Sequence, residues 1–349
     1  MRVAIAHNLR TTDDVSEVVF TSRETVDSVA EAIAGLGHEP VPVEVSGPVA
    51  DTVERLEDCA PDLVYNLAEG WTDGARQPFY TGLYAALGLP FTGSPAHVQA
   101  LAMDKYATKL VVAGHGVRTP RSQFLRDARD LDPARFEPPV IVKPNHEGTS
   151  RGITQESVVD SAAEAAALAA DLLREYGAGV LVEEYVPGVD VTVPWLEIAG
   201  DDGGGALDAT EVLIHDLAAS GRRHGIMDYG FKNYSNRPLT GVAPSASFRT
   251  PARLPSAVLA ELAASTATTA RALGCRDLAR VDFRVGDDGV PHLLEVNVLP
   301  GLDPTQSIHH AGRLAGLHPT QGVVRAVVAS AARRWGLAAE PVQPTAVGV

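Results

Sequence analysis

Over the first hundred residues short apolar runs alternate with amphipathic stretches: Val3 to Ala6, then Glu24 to Gly35, Pro40 to Val45, Asp62 to Asn66, and Pro78 to Leu87. Strand-length runs separated by helix-length ones predict an open parallel α/β sheet, because parallel neighbours require a crossover helix between them. After Thr92-Gly93-Ser94-Pro95 the pattern changes to a helix around Gln99 to Gly114, the strand Val140 to Lys143, an Ala/Leu-rich helix from Ser161 to Tyr176 and the strand Val180 to Tyr185. The breaks predict an N-terminal α/β domain over 1–94, a central lobe over 95–182, a C-terminal lobe over 183–337 and a loosely held tail over 338–349. Asp201-Asp202-Gly203-Gly204-Gly205 reads as a surface loop between strands, and no internal repeat is found.

Composition narrows the class. The 349 residues are 45% hydrophobic and 21% charged, so the chain can bury a sizeable core and is not a disordered or fibrous sequence. A net charge of -15 opposes loose binding to nucleic acid or anionic lipid, both of which need clustered Lys and Arg. An anionic nucleotide would require a local cluster of cations against that field. The two cysteines, Cys59 and Cys275, lie far apart without CxxC spacing, which indicates neither a disulfide framework nor zinc. No window reaches the ~20 apolar residues of a membrane span, and the apolar run at Met1 is too short for a signal peptide, so a cytoplasmic protein is expected. His7-Asn8-Leu9-Arg10 follows the first strand in place of GxGxxG, and no GxxxxGK[ST] occurs, so the dinucleotide fingerprint and the P-loop are absent.

The strongest chemical signal is Arg280-Val281-Asp282-Phe283-Arg284-Val285, a Gly286-Asp287-Asp288-Gly289 turn, and Val290 through Leu293-Leu294-Glu295-Val296-Asn297. This is a hairpin pattern. If Val285 faces Val290, Arg280 lies opposite Glu295 with Asp282 diagonal to it, and the two-residue period puts Arg280, Asp282, Glu295 and Asn297 on one face. A surface ladder with a cross-strand ion pair is the alternative. The acids stand among Val, Phe and Leu, however, where unpaired carboxylates are expensive, and a hard cation would offset that cost. An oxygen-only set suits magnesium, which is usually completed by phosphate oxygens.

A second cluster supplies positive charge. Lys143 closes a strand and leads into Pro144-Asn145-His146-Glu147-Gly148-Thr149-Ser150-Arg151-Gly152-Ile153, a small-residue loop suited to close over phosphates. Lys105 in Met103-Asp104-Lys105 and Lys232 in Asp228-Tyr229-Gly230-Phe231-Lys232 accompany it. Val182-Glu183-Glu184-Tyr185-Val186-Pro187-Gly188 ends a strand in a Pro-Gly turn, as a hinge would, and Asp190 follows. A plain turn and solvated surface lysines are the alternatives for each feature taken alone.

Taken in order, these segments resemble the ATP-grasp superfamily, and within it the D-alanine:D-alanine ligase family, over roughly Thr92 to Val327. Also matching are Ala279-Arg280-Val281-Asp282-Phe283 and Leu294-Glu295-Val296-Asn297-Val298-Leu299-Pro300-Gly301. The resemblance implies an open parallel α/β domain followed by a two-lobed ATP-grasp domain. It implies that Lys105 and Lys143 hold ATP phosphates and that Glu147, Gly148, Thr149 and Ser150 fold over them. Glu183, Glu184, Tyr185 and Val186 would form the adenine hinge, and Asp190, a Glu in much of the family, would hold the ribose. Lys232 would bind the transferring γ-phosphate. Asp282, Glu295 and Asn297 would ligate two magnesium ions, with manganese as a substitute. Arg280, with Lys232 and Ser150, would be catalytic, Arg280 steadying the tetrahedral oxyanion, while Arg280, Gly301 and Ser307 would meet the amino-acid substrates.

The amino-acid site departs from the family. In place of a glycine-rich turn with Ser-x-Glu-x-x-Val-Ser stands His7 through Val18, and in place of His-Gly with Gly-Glu-Asp-Gly stands Tyr65-Asn66-Leu67-Ala68-Glu69-Gly70-Trp71-Thr72-Asp73-Gly74. One extra residue precedes Ser307. The reading is an ATP-dependent carboxylate-amine ligase acting through an acyl phosphate on other amino acids or small carboxylates, with true D-alanine:D-alanine ligation as the alternative. A non-catalytic nucleotide-binding regulator and a carboxylate kinase are the other readings. Small molecules are the expected partners, without nucleic acid or membrane, and a homodimer is expected by analogy with the family.

Overall fold

The computed structural model describes all residues except 13, 15–16, 71–75, 198–204, 216–222, 230–245 and 338–349. Lys232, the tail, most of the Asp201–Gly205 loop and all of Trp71–Gly74 therefore lie outside the described residues. The N-terminal alternation folds as expected into β1 (Arg2–His7), α1 (Arg23–Ala34), β2 (Glu39–Glu44), β3 (Leu63–Leu67) and the helix after it, and the structure adds a crossover helix that the periods did not single out, α2 (Val49–Cys59), ahead of β3, with α3 (Arg76–Ala86) following β3. The three strands are parallel, in the order β2-β1-β3. Central β1 is buried from Val3 to His7, as a strand covered on both faces must be. Its alternation divides two cores: Val3 and Ile5 pack with Val26, Val29 and Ile33 of α1, whereas Ala4 and Ala6 pack with Leu56 of α2 and Tyr80 and Tyr84 of α3.

The apolar period between Gln99 and Gly114 predicts one helix, and the structure has two, α4 (Ala96–Met103) and α5 (Lys105–Gly114). Asp104 breaks them. Its backbone leaves the helical region at φ -86 and ψ 96, and its carboxylate accepts the Ala107 N–H at 2.9 Å as the N-cap of α5. Lys105 is thereby the first residue of a new helix.

An antiparallel sheet follows, β4-β7-β5-β6, from β4 (Ser122–Leu125), β5 (Val140–Pro144), β6 (Val158–Val159) and β7 (Val180–Glu184). Helix α6 (Ala162–Tyr176) starts on a Ser161 cap, ends at left-handed Gly177, and sets Ala165, Ala169 and Leu172 against Val140, Val142, Val180 and Val182.

The third sheet contains β8 (Gly188–Leu196), β9 (Gly205–Ala206), β10 (Thr210–Ile214), β11 (Ala246–Arg249), β12 (Leu278–Gly286) and β13 (Pro291–Asn297), ordered β11-β10-β8-β12-β13 with β9 on β8. One face is packed by α4, α5 and α7 (Ser256–Leu273), through Val98, Val112 and Leu262 against Val193, Val281 and Leu293. After α8 (Ser307–Leu314), α9 (Gly322–Trp335) returns to the N-terminal sheet, where Val323, Val324 and Val327 share the core of Val3 and Ile5. Among the described residues no helix is long and apolar enough to cross a membrane.

Candidate functional site

The other face of the third sheet is the floor of a cleft of about 960 Å³, whose lining also draws on β5, β7 and the loop after β5. The hairpin register differs from the expected one. Val285 pairs with Pro291, and a bulge at Leu294 adds a further step, so Asp282 stands opposite Glu295 and Arg280 opposite Asn297. The combined slip is two residues, and a side-chain period of two leaves all four groups on the expected common face. Across β8 the ladder continues as rungs: Thr192 opposite Asp282, and Asp190 opposite Arg284.

Each carboxylate on this floor meets a cation. The Arg280 guanidinium donates to both oxygens of Asp282 at 2.9 and 2.7 Å, and Thr192 Oγ1 adds a bond of 2.6 Å. Lys105 Nζ lies 3.1 Å from Glu295 Oε2 and donates to the Glu147 carbonyl at 2.5 Å. Asn297 is two residues beyond Glu295, and its Oδ1 accepts the Leu299 N–H at 3.0 Å. Asp282 and Glu295 line the cleft, whereas Asn297 is absent from its lining.

On the facing sheet Lys143 closes β5 and pairs with Glu183 of β7, both buried. A second ammonium, Lys109, reaches the same carboxylate at 3.2 Å and donates to the Leu293 carbonyl at 2.9 Å. Burial opposes the charge on Glu183, yet Lys109 and Lys143 together hold its carboxyl below the usual range. Burial likewise pulls Lys109 down to about 8 despite Glu183. Asp104 is also held low: burial works against its charge, but bonds from His146, the Ala107 N–H and Asn145 overcome it.

The loop after β5 bends through left-handed Thr149 and Ser150, at φ 52 and 60, a conformation costly for residues other than glycine. Ser150 Oγ donates to the Met227 carbonyl at 2.7 Å, and Arg151 meets Glu147 at 3.1 Å. Glu147 and Ser150 line the cleft; Gly148 and Thr149 form the loop between them. At the far end, Glu184, Tyr185, Val186 and Asp190 line the wall, with Glu184 held by Arg121 at 3.3 Å. Ser307 heads α8 and lines the cleft, while Gly301, in the segment before it, does not. The cleft therefore gathers thirteen of the expected residues: Lys105, Lys143, Glu147, Ser150, Glu183, Glu184, Tyr185, Val186, Asp190, Arg280, Asp282, Glu295 and Ser307.

Three participants escape the sequence reading. Lys109 follows Lys105 by four residues, a spacing that puts both ammoniums on one helix face. Thr192 and Arg284 each lie two residues from a recognised position, on the same strand face.

The donor set fits a hard divalent cation. The two carboxylates that face the cleft supply oxygen only, and among the described residues no group of three or more His, Cys, Asp and Glu gathers, so oxygens from a phosphate ligand would have to complete the shell. That requirement matches the cationic wall of Lys105 and Lys143 across the cleft.

Residues 122–328 match the family model described as the D-ala D-ala ligase C-terminus. The D-alanine–D-alanine ligase of Moorella thermoacetica is 31% identical over 309 residues, covering 85% of this chain and 90% of that relative. The crystal structure of the VanG D-Ala:D-Ser ligase from Enterococcus faecalis aligns with a TM-score of 0.72 at 20% identity, over 95% of this chain and 99% of that one. The ATP complex of the D-alanine–D-alanine ligase from Bacillus anthracis gives 0.67 at 19% identity, over 96% and 98%. These structural likenesses establish the ATP-grasp α/β fold, and the matched family model with the sequence relative establishes kinship. The chain belongs to the D-alanine–D-alanine ligase family, ATP-grasp enzymes that form a carbon–nitrogen bond.

Proposed function

We propose that this ligase uses ATP to activate a carboxylate as an acyl phosphate and joins it to an amine, taking amino acids or small carboxylates other than the D-alanine pair. The observation that carries the reading is the convergence of Lys105, Lys143, Asp282, Glu295 and Arg280 on one cleft. A carboxylate is a poor electrophile. Transfer of the γ-phosphoryl group to one of its oxygens gives a mixed anhydride with a good leaving group. The amine then attacks the carbonyl carbon, loses a proton, and phosphate departs with the former carboxylate oxygen.

Lys105 and Lys143 offset charge on the phosphates, and Arg280 faces the oxyanion formed on amine attack. Asp282, Glu295 and Asn297 would hold magnesium, which when bound neutralises phosphate oxygens. The loop from Glu147 to Ser150 closes over the phosphates and excludes water, which would hydrolyse the anhydride. Glu183, Glu184, Tyr185 and Val186 take the base, and Lys232 takes the γ-phosphate by the family resemblance. The compartment that fits a reaction fed by cellular ATP is the cytoplasm.

The altered first-substrate region supports the different specificity. Glu17, one of the acids in the stretch that stands in place of the family's glutamate motif, is engaged by the backbone N–H groups of Thr11 and Thr12, both at 2.7 Å. Asn8 likewise accepts the N–H groups of Glu69 and Gly70 at 3.0 Å. Incubation with ATP, magnesium and pooled amino acids and small acids is expected to yield new condensed masses with matching ADP. A D-alanyl-D-alanine product alone would select the alternative substrate. ATP turnover indifferent to every added acid and amine would remove the ligase reading. Hydroxylamine trapping without an amine requirement would indicate a carboxylate kinase.

A further inference from the structure

We propose that Arg284 is a positioning residue that sets how this cleft holds the sugar of its nucleotide, by presenting Asp190 to the ribose hydroxyls. The inference rests on the nucleotide reading of the cleft and goes beyond it to a residue that reading does not use.

The rungs of the floor give the direction. Thr192, Asp282 and Glu295 form the acidic rung, where the phosphates and their cation belong. Arg284 and Asp190 form the rung two residues further along β12, about 7 Å away, toward the Tyr185–Val186 wall. A nucleotide laid with its phosphates on the acidic rung therefore brings its sugar over Arg284 and Asp190.

Arg284 is 4% exposed. Its Nε donates to the Val186 carbonyl at 2.9 Å, its Nη1 to Asp190 Oδ1 and the Gly225 carbonyl, both at 2.9 Å, and its Nη2 to the Tyr185 hydroxyl at 3.3 Å. The guanidinium carbon also sits 5.7 Å from the centre of the Tyr185 ring. One rigid fork thus joins the hinge after β7, strand β8 and the loop at Gly225, a pattern that an ammonium cannot reproduce. Asp190, 20% exposed at its side chain, is held by one oxygen and keeps the other as an acceptor on the cleft wall. A carboxylate oriented in this way accepts from a sugar hydroxyl, and its short stem makes the orientation depend on the partner that fixes it.

Calorimetric titration of the full chain with ATP and with 2′,3′-dideoxyATP tests this directly, because it reads binding whether or not a substrate pair is known. The wild type is expected to favour ATP by about tenfold, the size of one charge-assisted hydrogen bond. Arg284→Met is expected to weaken ATP by about that factor and to leave the dideoxy nucleotide within about twofold, so the preference collapses. In turnover the same variant raises KM for ATP while kcat at saturating ATP changes by less than about threefold. Asp190→Glu in the Arg284→Met background is expected to recover much of the preference, since the longer stem reaches the sugar without the guanidinium. If Arg284→Met proves unfolded by its melting curve, Arg284→Lys supplies the reading and should also lose most of the preference. A wild-type ratio in the folded variant, or equal weakening of both nucleotides, overturns the proposal. A wild-type chain that binds no ATP would instead sink the nucleotide reading itself.

Discussion

Two ammoniums surround the buried Glu183 carboxylate, and one of them, Lys109, has no route to solvent. Burial lowers Lys109 to about 8 from an ordinary 10.5. Between those values the unfolded chain binds the proton and the native one does not, so this group makes stability rise with pH across that window. Lys109→Met removes the rise. Urea unfolding at about pH 7.5 and about pH 10 is expected to show the wild type gaining on the variant at the higher pH, and parallel responses would contradict the assignment. On the opposite wall, Glu295→Ala leaves Lys105 without its carboxylate and removes a proposed cation ligand. ADP formation at saturating magnesium should fall by about 100-fold or more, and a rate within about threefold of wild type would dismiss the metal role. Asp282 and Glu295 were legible because charge stood where apolar neighbours made it costly, and Lys105 and Lys143 through the motifs in which they stand. Lys109 and Arg284 were not, because their partners are backbone carbonyls and acids of distant elements, which no local spacing encodes.

The strands of the N-terminal sheet and its helices α1 and α3 follow from their periods to within a few residues. The failures come where a single residue ends a pattern that its neighbours would continue. Asp104 interrupts an unbroken apolar period because its carboxylate finds Ala107 and Asn145, and Leu294 bulges where the hairpin alternation reads as regular. The Pro187-Gly188 turn was legible as the end of a strand, and the geometry explains why glycine stands there. Gly188 has φ 153, and a Cβ on it would lie 2.0 Å from the Val285 carbonyl oxygen and 2.9 Å from the Gly286 Cα, neither of which can swing aside. Gly188→Ala should therefore lower stability by about 3 kcal/mol in denaturant titration, and a loss under about 0.5 kcal/mol would show that the two strands part easily.

At the scale of the molecule, the chain's last described helix closes its first sheet, a return that no sequence pattern specified because a helical period names a buried face and not its partner. Arg334 of α9 secures the return by donating to Asp277 Oδ2 at 2.7 Å, the same oxygen that accepts the Gly93 N–H at 2.7 Å. Burial raises the Asp277 carboxyl despite that partner. Arg334→Met leaves a buried acid uncompensated and should cost about 3 kcal/mol at neutral pH, measured by chemical unfolding; an unchanged midpoint would show that α9 is held by its apolar face alone. The acidic rung stands across one cleft from Lys143 of the facing sheet, and the chemistry proposed for it leaves an atomic trace. Turnover with ATP, magnesium and amino acids whose carboxylates carry ¹⁸O would test it most directly. Acyl-phosphate ligation predicts one labelled oxygen in the phosphate released per product formed, whereas phosphate without label alongside a condensed product would contradict it.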